Sequence, residues 1–318
     1  MIGTDLDHAA QLLRQGQLVA MPTETVYGLA GNALDTRAVG EIFRVKDRPT
    51  FDPLIVHLAD FAQAHAYVRD VPPLAQLLAA AFMPGPLTLL LPKRAAVPDL
   101  VTSGSDRVAV RVPVHPLALD LLGRLDFPLA APSANPFGYI SPTTAQHVDQ
   151  QLGRAIPYIL DGGPCAVGLE STIVGFEAGE VVVYRKGGVS VEALEQAVGP
   201  VRVMAVSSSS PQAPGMLLSH YAPRVPLLLG PPAELLAQHP GPGVGVLGFQ
   251  RSWPGVPAHQ QVQLSPTGDL AEAARQFFAA LRHLDQLGLR LIVAEPLPEV
   301  GLGRAINDRL RRAAAARA

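Results

Sequence analysis

"DTRAVGEIFRVKDRPTFDPLIVHL", residues 35–58, places a helical pattern, a proline-bounded turn and a strand pattern end to end. Asp35 is a capping residue type, and Val39, Ile42 and Phe43 recur at the spacing of one helical face, which predicts a helix ending near Lys46. "PLIVHL" is a short apolar run introduced by proline, the pattern of a buried strand closing on His57. Between the two elements, Lys46 and Arg48 lie on a turn flanked by Pro49 and Pro53. Proline fixes φ near about −65°, so cations on such a turn lose little further freedom when they bind an anion. The geometry suits a polyanion; a solvated charged turn is the plainer alternative, and a satisfied semi-buried histidine is the plainer reading of His57.

The alternation continues outward. Leu6, Ala9, Leu12 and Leu13 form a helical face ahead of the apolar "LVAM". "PLTLLLP", "RVAVRVP", "FPLAAPS", "PYILDGG", "STIVGF" and "EVVVYRKG" are strand candidates, with "HPLALDLLGRL" and "TAQHVDQQLG" as helices among them. Interleaved helices and hairpin-like neighbours predict a mixed α/β sheet rather than an all-parallel one. At "VSSSSPQAPG", residues 206–215, the composition becomes that of a linker. Beyond it, "VPLLLG", "GVGVLGF" and "LRLIVAEPLP" read as strands, and "DLAEAARQFFAALRHLDQLG" and "RAINDRLRRAAAARA" as helices. The expected division is a first domain over 1–200, a linker over 201–224 and a small α/β domain over 225–318. Two domains suit a chain of 318 residues.

Composition narrows the function classes. A hydrophobic fraction of 48% with 16% charged residues describes a packed globular chain, and a net charge of −2 gives no global attraction to nucleic acid or anionic membrane. Any anion site must be a local cluster. The single cysteine, Cys165, makes neither an internal disulfide nor a cysteine-rich zinc site. "MIGTDLDHAAQLLRQGQ" reads as a first helix and not a signal peptide, and no stretch approaches the ~20 apolar residues of a membrane span. A soluble, cytoplasmic protein is the expectation.

The common catalytic signatures are missing from the sequence: no phosphate-binding G-x-x-x-x-G-K-[ST], no H-E-x-x-H and no G-x-S-x-G. "GVGVLG" matches a dinucleotide fingerprint only in letters, because its glycines lie inside an apolar run; a glycine-rich strand is the better reading. What remains is a set of polar residues among apolar runs. Thr23, Glu24, Thr25 and Tyr27 follow a strand, where threonines are either ligand contacts or caps of a following helix. Arg107, Ala109 and Arg111 share one face of a strand by period-2 alternation, so its two arginines can present guanidinium forks to carboxylate or phosphate. Ser133, Asn135 and Ser141 lie in a proline-rich loop, Ser171 and Thr172 begin a strand, and Arg185 and Lys186 precede two glycines that allow close approach of a ligand.

"PTETVYGL", "KDRP…PLIVHL", "PGPLTLLL", "VAVRVP", "PSAN", "ESTIV" and "RKG", in this order and spacing, resemble the threonylcarbamoyl-AMP synthase family with its YrdC-like domain. "APGMLLSHYAP" and "GLGRAINDRLRRAA" resemble the longer, two-domain form. The resemblance covers roughly residues 5–200 and 224–318. It implies a twisted mixed sheet with a concave basic cavity, followed by a small Rossmann-like domain. It implies an L-threonylcarbamoyladenylate synthase, a nucleotidyltransferase that converts L-threonine, bicarbonate or CO2 and ATP, with Mg2+, to threonylcarbamoyl-AMP and pyrophosphate, for threonylcarbamoylation of adenosine 37 in tRNA by separate transfer proteins. Lys46 and Arg48 are the implied catalytic residues. Lys46, Thr50, Arg107, Ser133, Asn135, Ser141, Arg185, His220 and Tyr221 are the implied ATP contacts, and Thr23, Arg48, His57, Arg111 and Ser171 surround threonine. No protein side chain is expected to hold the magnesium, which arrives on ATP, and no tightly bound organic cofactor is implied. Leu217, Leu218 and Ser219 depart from the basic and tyrosine residues usual in the family's linker, which is held to fold over the cavity as a lid.

Weak tRNA contact is a further expected partner, and a non-catalytic RNA-binding module is the alternative from another class. The net charge, three lysines in all, and the lack of interleaved basic and aromatic residues oppose it. The carbamoyl-adenylate chemistry of hydrogenase maturation proteins is an enzyme alternative, opposed by the single cysteine.

Overall fold

In the computed structural model, residues 1–204 and 213–315 are described, and the helix expected from residue 36 spans Thr36–Lys46. The Asp35 carboxylate caps it by accepting from Arg37 N at 2.9 Å. Its buried stripe is Ala38, Val39, Ile42, Phe43 and Lys46. Lys46 therefore falls on the apolar face, and helical periodicity aims this ammonium inward. Asp47 ends the helix in the left-handed region (φ 51°), and Arg48 N returns to Phe43 O at 2.9 Å. The strand follows at Ile55–His57.

Among the described residues, fifteen strands run in chain order: β1 Ile2–Gly3, β2 Val19–Met21, β3 Gly28–Asn32, β4 Ile55–His57, β5 Leu87–Pro92, β6 Arg107–Arg111, β7 Leu129–Ala130, β8 Tyr158–Leu160, β9 Thr172–Glu177, β10 Glu180–Arg185, β11 Arg202–Val203, β12 Leu227–Leu229, β13 Val244–Gly248, β14 Gln261–Gln263 and β15 Leu291–Ala294. The first eleven form one mixed sheet in the order β1-β8-β2-β3-β7-β4-β6-β5-β9-β10-β11. The parallel pair β4–β6 sets His57 beside Arg111, residues far apart in the chain. The last four form a parallel sheet, β12-β15-β13-β14, flanked by the helices Leu270–Gln286 and Leu302–Ala314, a small Rossmann-like unit. The glycine-rich "GVGVLG" lies in β13, as the plainer reading expects.

The two sheets are not independent bodies. One apolar cluster joins Val26, Ile140, Leu169 and Tyr221 to Phe277, Phe278 and Ile306 of the second unit. Arg282 donates to the carbonyls of Ile140 and Ser141, and Tyr139 Oη donates to Asp285 at 2.5 Å. The serine-rich part of the expected linker, 206–212, and the last three residues of the helix expected from the sequence, 316–318, lie outside the described residues. Among the described residues no helix is long and apolar enough to cross a membrane.

Two local expectations change. No helix follows Thr23: the chain turns directly from β2 into the antiparallel β3, and Thr23 Oγ1 caps that turn, accepting from Thr25 N and Val26 N and donating to Val26 O. Gly187 serves packing instead of ligand approach, since a Cβ there would lie 2.3 Å from Glu170 O and 2.5 Å from Ser171 O.

Candidate active site

The strand ends of the large sheet converge with the linker on a buried cavity lined by Thr25, Val26, Arg48, Ile55, His57, Arg111, Ser133, Glu170, Ser171, Arg185, Pro214, Gly215, His220 and Tyr221, among others. Three guanidiniums face it, each almost fully buried. Buried charges persist only with partners, and each arginine has one.

Arg48 donates through Nε to Asp52 O at 3.0 Å and through Nη2 to Pro53 O at 2.8 Å, with the Asp52 carboxylate 2.9 Å away. The proline-bounded turn thus orients Arg48 by its carbonyls. Burial pushes the Asp52 carboxyl up against the lowering pull of Arg48. Arg111, at the end of β6, meets the Glu24 carboxylate at 2.5 Å and Gly85 O at 3.3 Å, while Glu24 also accepts from Val114 N. Arg185, at the end of β10, forks onto Ser171 O and Ser171 Oγ and reaches Pro214 O at 3.0 Å. Ser171 Oγ is 2.7 Å from Thr88 Oγ1.

Lys46 lies behind this lining, its Nζ donating to the carbonyls of Ser133 and Asn135. Burial first, and the neighbouring Arg48 second, push its ammonium well below the usual lysine value. Asn135 fixes the same loop by donating to Pro136 O and Tyr139 O, and Ser141 donates to Glu170 at 2.6 Å. His57 faces the cavity with Nδ1 against Ile55 O at 3.2 Å.

Burial, reinforced by Arg111, lowers the His57 imidazole from near 6.5 to about 3. It is therefore neutral when folded and protonates readily when unfolded. The sign follows: this contribution to stability is complete above pH ~6.5 and is lost progressively as pH falls toward 3. Between about pH 7 and pH 5, wild type should lose about 2 kcal/mol more than His57→Asn, read from denaturant unfolding at both pH values. Equal slopes would contradict a neutral, buried His57.

The linker completes the cavity. Gly215 (φ 77°) can approach because a Cβ there would sit 2.7 Å from Tyr221 Oη. Tyr221 itself has φ 63°, a left-handed backbone that strains a bulky residue. Its ring packs on His220 at 4.2 Å and on Phe278 at 5.7 Å. Burial pushes the His220 imidazole well down, with Arg48 and Lys46 adding to it. The free space left is ≈ 50 Å³, against roughly 300–1,000 Å³ for sites that hold a small molecule.

The departure at Leu217–Ser219 lies beside Arg312 of the closing helix. Leu217 engages through its carbonyl, which accepts from Arg312, and His220 N donates to Arg312 O at 3.3 Å, while the Leu218 side chain is exposed.

Of the residues singled out from sequence, Arg48, His57, Arg111, Ser133, Ser171, Arg185, His220 and Tyr221 line one cavity. Lys46, Asn135, Ser141 and Thr23 sit just behind it, holding its backbone or its acids. Two are not brought in. Thr50 is exposed on the turn, and Arg107 lies at the far end of β6, donating to Tyr184 Oη at 2.8 Å. Four residues along a strand is ~13 Å, so sharing a face with Arg111 does not mean sharing a site. Sequence reasoning missed the acids Asp52 and Glu170 and the second unit's Arg309, which meets Glu170 at 3.1 Å.

A family model described as "Telomere recombination" matches residues 11–187, and one described as "Threonylcarbamoyl-AMP synthase, C-terminal domain" matches 189–315. Threonylcarbamoyl-AMP synthase of Pyrococcus abyssi is 43% identical over 96% of this chain and 92% of its own length. The Bacillus subtilis protein of the same name is 41% identical over 97% and 92%. A crystal structure of P. abyssi Sua5 complexed with L-threonine superposes with a TM-score of 0.91 at 42% identity, covering 97% of this chain and 94% of that one.

Proposed function

The chain belongs to the threonylcarbamoyl-AMP synthase family, and on that premise we propose which of its residues carry the reaction. It is an ATP-using transferase that makes threonylcarbamoyl-AMP and pyrophosphate from L-threonine, bicarbonate or CO2, and ATP, for threonylcarbamoylation of adenosine 37 in tRNA. Threonine's amine takes up CO2 as a carbamate and releases a proton. A carbamate oxygen then attacks the α-phosphorus, a P–O bond forms, and the bond to the β-phosphate oxygen breaks as pyrophosphate leaves. Both partners are anions, so the barrier falls when cations neutralise them and hold them in line.

The observation that carries this reading is the convergence of Arg48, Arg111 and Arg185 on one buried cavity. We assign Arg48 and Arg185 to the phosphates, with Lys46 holding the Ser133–Asn135 backbone beneath them. Arg111 takes the threonine carboxylate beside Ser171 and the neutral His57. His220 and Tyr221 close over the nucleotide. Thr50 and Arg107 are left out of the assignment because they lie outside the cavity.

We propose that magnesium arrives as part of the substrate, MgATP. Glu24, Asp52 and Glu170 are each engaged by an arginine. Phosphate oxygens and water are then its natural ligands. We place the reaction in the cytoplasm, consistent with one unpaired cysteine, and propose that separate proteins carry the product to tRNA.

The test is identification of the product. With 13C-bicarbonate, L-threonine and MgATP, mass spectrometry should find an adenylate carrying threonine and the labelled carbon. AMP and pyrophosphate without a labelled adenylate would reject the assignment.

A further inference from the structure

The cavity assembled for anions contains a carboxylate. Glu170 is 6% exposed and lines it beside Arg185 and Tyr221. A buried carboxylate beside a triphosphate repels it unless something offsets its charge. Two groups hold it: Ser141 Oγ donates to Oε1 at 2.6 Å, and Arg309 Nε donates to Oε2 at 3.1 Å. Ser141 carries no charge, so of the two groups bonded to Glu170 only Arg309 brings a compensating charge.

Arg309 belongs to the closing helix of the second unit and is 0% exposed. An arginine on a terminal amphipathic helix would ordinarily face solvent. This one donates through Nη1 to Lys186 O at 2.5 Å, next to the strand end that carries Arg185, and lies 5.5 Å from the centre of the Tyr221 ring. Asp308, 3.6 Å away, is drawn off by Arg312 at 3.0 Å. Glu170 is thus faced by Arg309 from the closing helix, Tyr221 from the linker, Arg185 from β10 and Ser141 from the loop after β7.

We propose that Arg309 is a positioning residue for the reaction, supplied by the second unit: it neutralises and orients Glu170 so that the cavity accepts anionic substrates. The small unit is thereby part of the active site's charge balance. The inference rests on the synthase reading given above.

The test uses the full chain, with MgATP binding by calorimetry and thermal melting to verify the fold. Arg309→Gln keeps a hydrogen-bond donor and removes the charge. It should weaken MgATP at least about tenfold, because Glu170 then faces the phosphates without its compensating charge. Adding Glu170→Gln should recover most of the loss, a coupling that a packing role does not produce. If Arg309→Gln alone does not fold, the paired variant should bind MgATP within about threefold of Glu170→Gln alone. Wild-type affinity in a folded Arg309→Gln overturns the proposal, as does a loss with no recovery in the pair, or a further tenfold loss in the pair relative to Glu170→Gln alone. Wild type that binds no MgATP overturns the synthase reading first, and this inference with it.

Discussion

Arg48→Met should reduce kcat/KM for threonine-dependent pyrophosphate release by about a thousandfold, the scale of losing one preorganised charge at a site of developing negative charge. Three features place Arg48 at that level. It faces the cavity, its guanidinium is already oriented by Asp52 O and Pro53 O, and it stands between Asp52 and the linker's His220. The same substitution should lower stability by about 3–5 kcal/mol, because Asp52 is left as a buried carboxylate without its arginine. The two effects separate in a second variant. Arg48→Met with Asp52→Asn should recover most of the stability in denaturant unfolding and none of the activity. If activity returns with stability, Arg48 acts only through folding and the phosphate assignment is wrong.

Arg111→Gln should raise KM for L-threonine by about a hundredfold or more while leaving KM for ATP within a few-fold, the pattern of losing one charge-assisted fork to a carboxylate. The geometry behind this is specific. β4 and β6 run parallel with His57 beside Arg111, and both groups face the same cavity as Ser171. Glu24 holds the Arg111 fork at 2.5 Å, so the arginine is oriented before threonine arrives. Steady-state kinetics varying each substrate separately decides it. A matched rise in both KM values would mean that the change spreads through the cavity and that Arg111 is not the carboxylate's partner. Lysine at this position should rescue only partly, since a point charge does not reproduce the fork.

The contrast between these two arginines and Arg107 shows what the sequence could convey. Local pattern carried the helix Thr36–Lys46, its cap at Asp35 and the strand Ile55–His57, because each depends on neighbours within a few residues. The same periodicity placed Lys46 on the inward stripe. Strand alternation put Arg107 and Arg111 on one face, yet only the sheet order, with β6 between β4 and β5, decides which end of β6 faces the cavity. Thr23 illustrates the reverse error: a hydroxyl after a strand caps a turn as readily as a helix, and the antiparallel return into β3 selects the turn.

Glu170 and Arg309 were the least legible. They pair across 139 residues, and Arg309 in "RAINDRLRR" has no local mark that separates it from the exposed Arg311. Its burial arises from docking of the second unit, where Phe277, Phe278 and Ile306 pack with Val26, Leu169 and Tyr221. The helix Pro73–Phe82 was hidden for another reason. "PLAQLLAAAF" is apolar nearly all round, so its sequence shows no polar face, and Ala75, Leu78 and Ala79 are identified as its inner side only by the core they join.

The most direct measurement is pyrophosphate release from MgATP by the full chain in bicarbonate buffer, with and without L-threonine, and with L-serine in parallel. The account predicts release that requires both threonine and bicarbonate and is much slower with serine. Release that ignores threonine, or none at all from a folded chain, would contradict it.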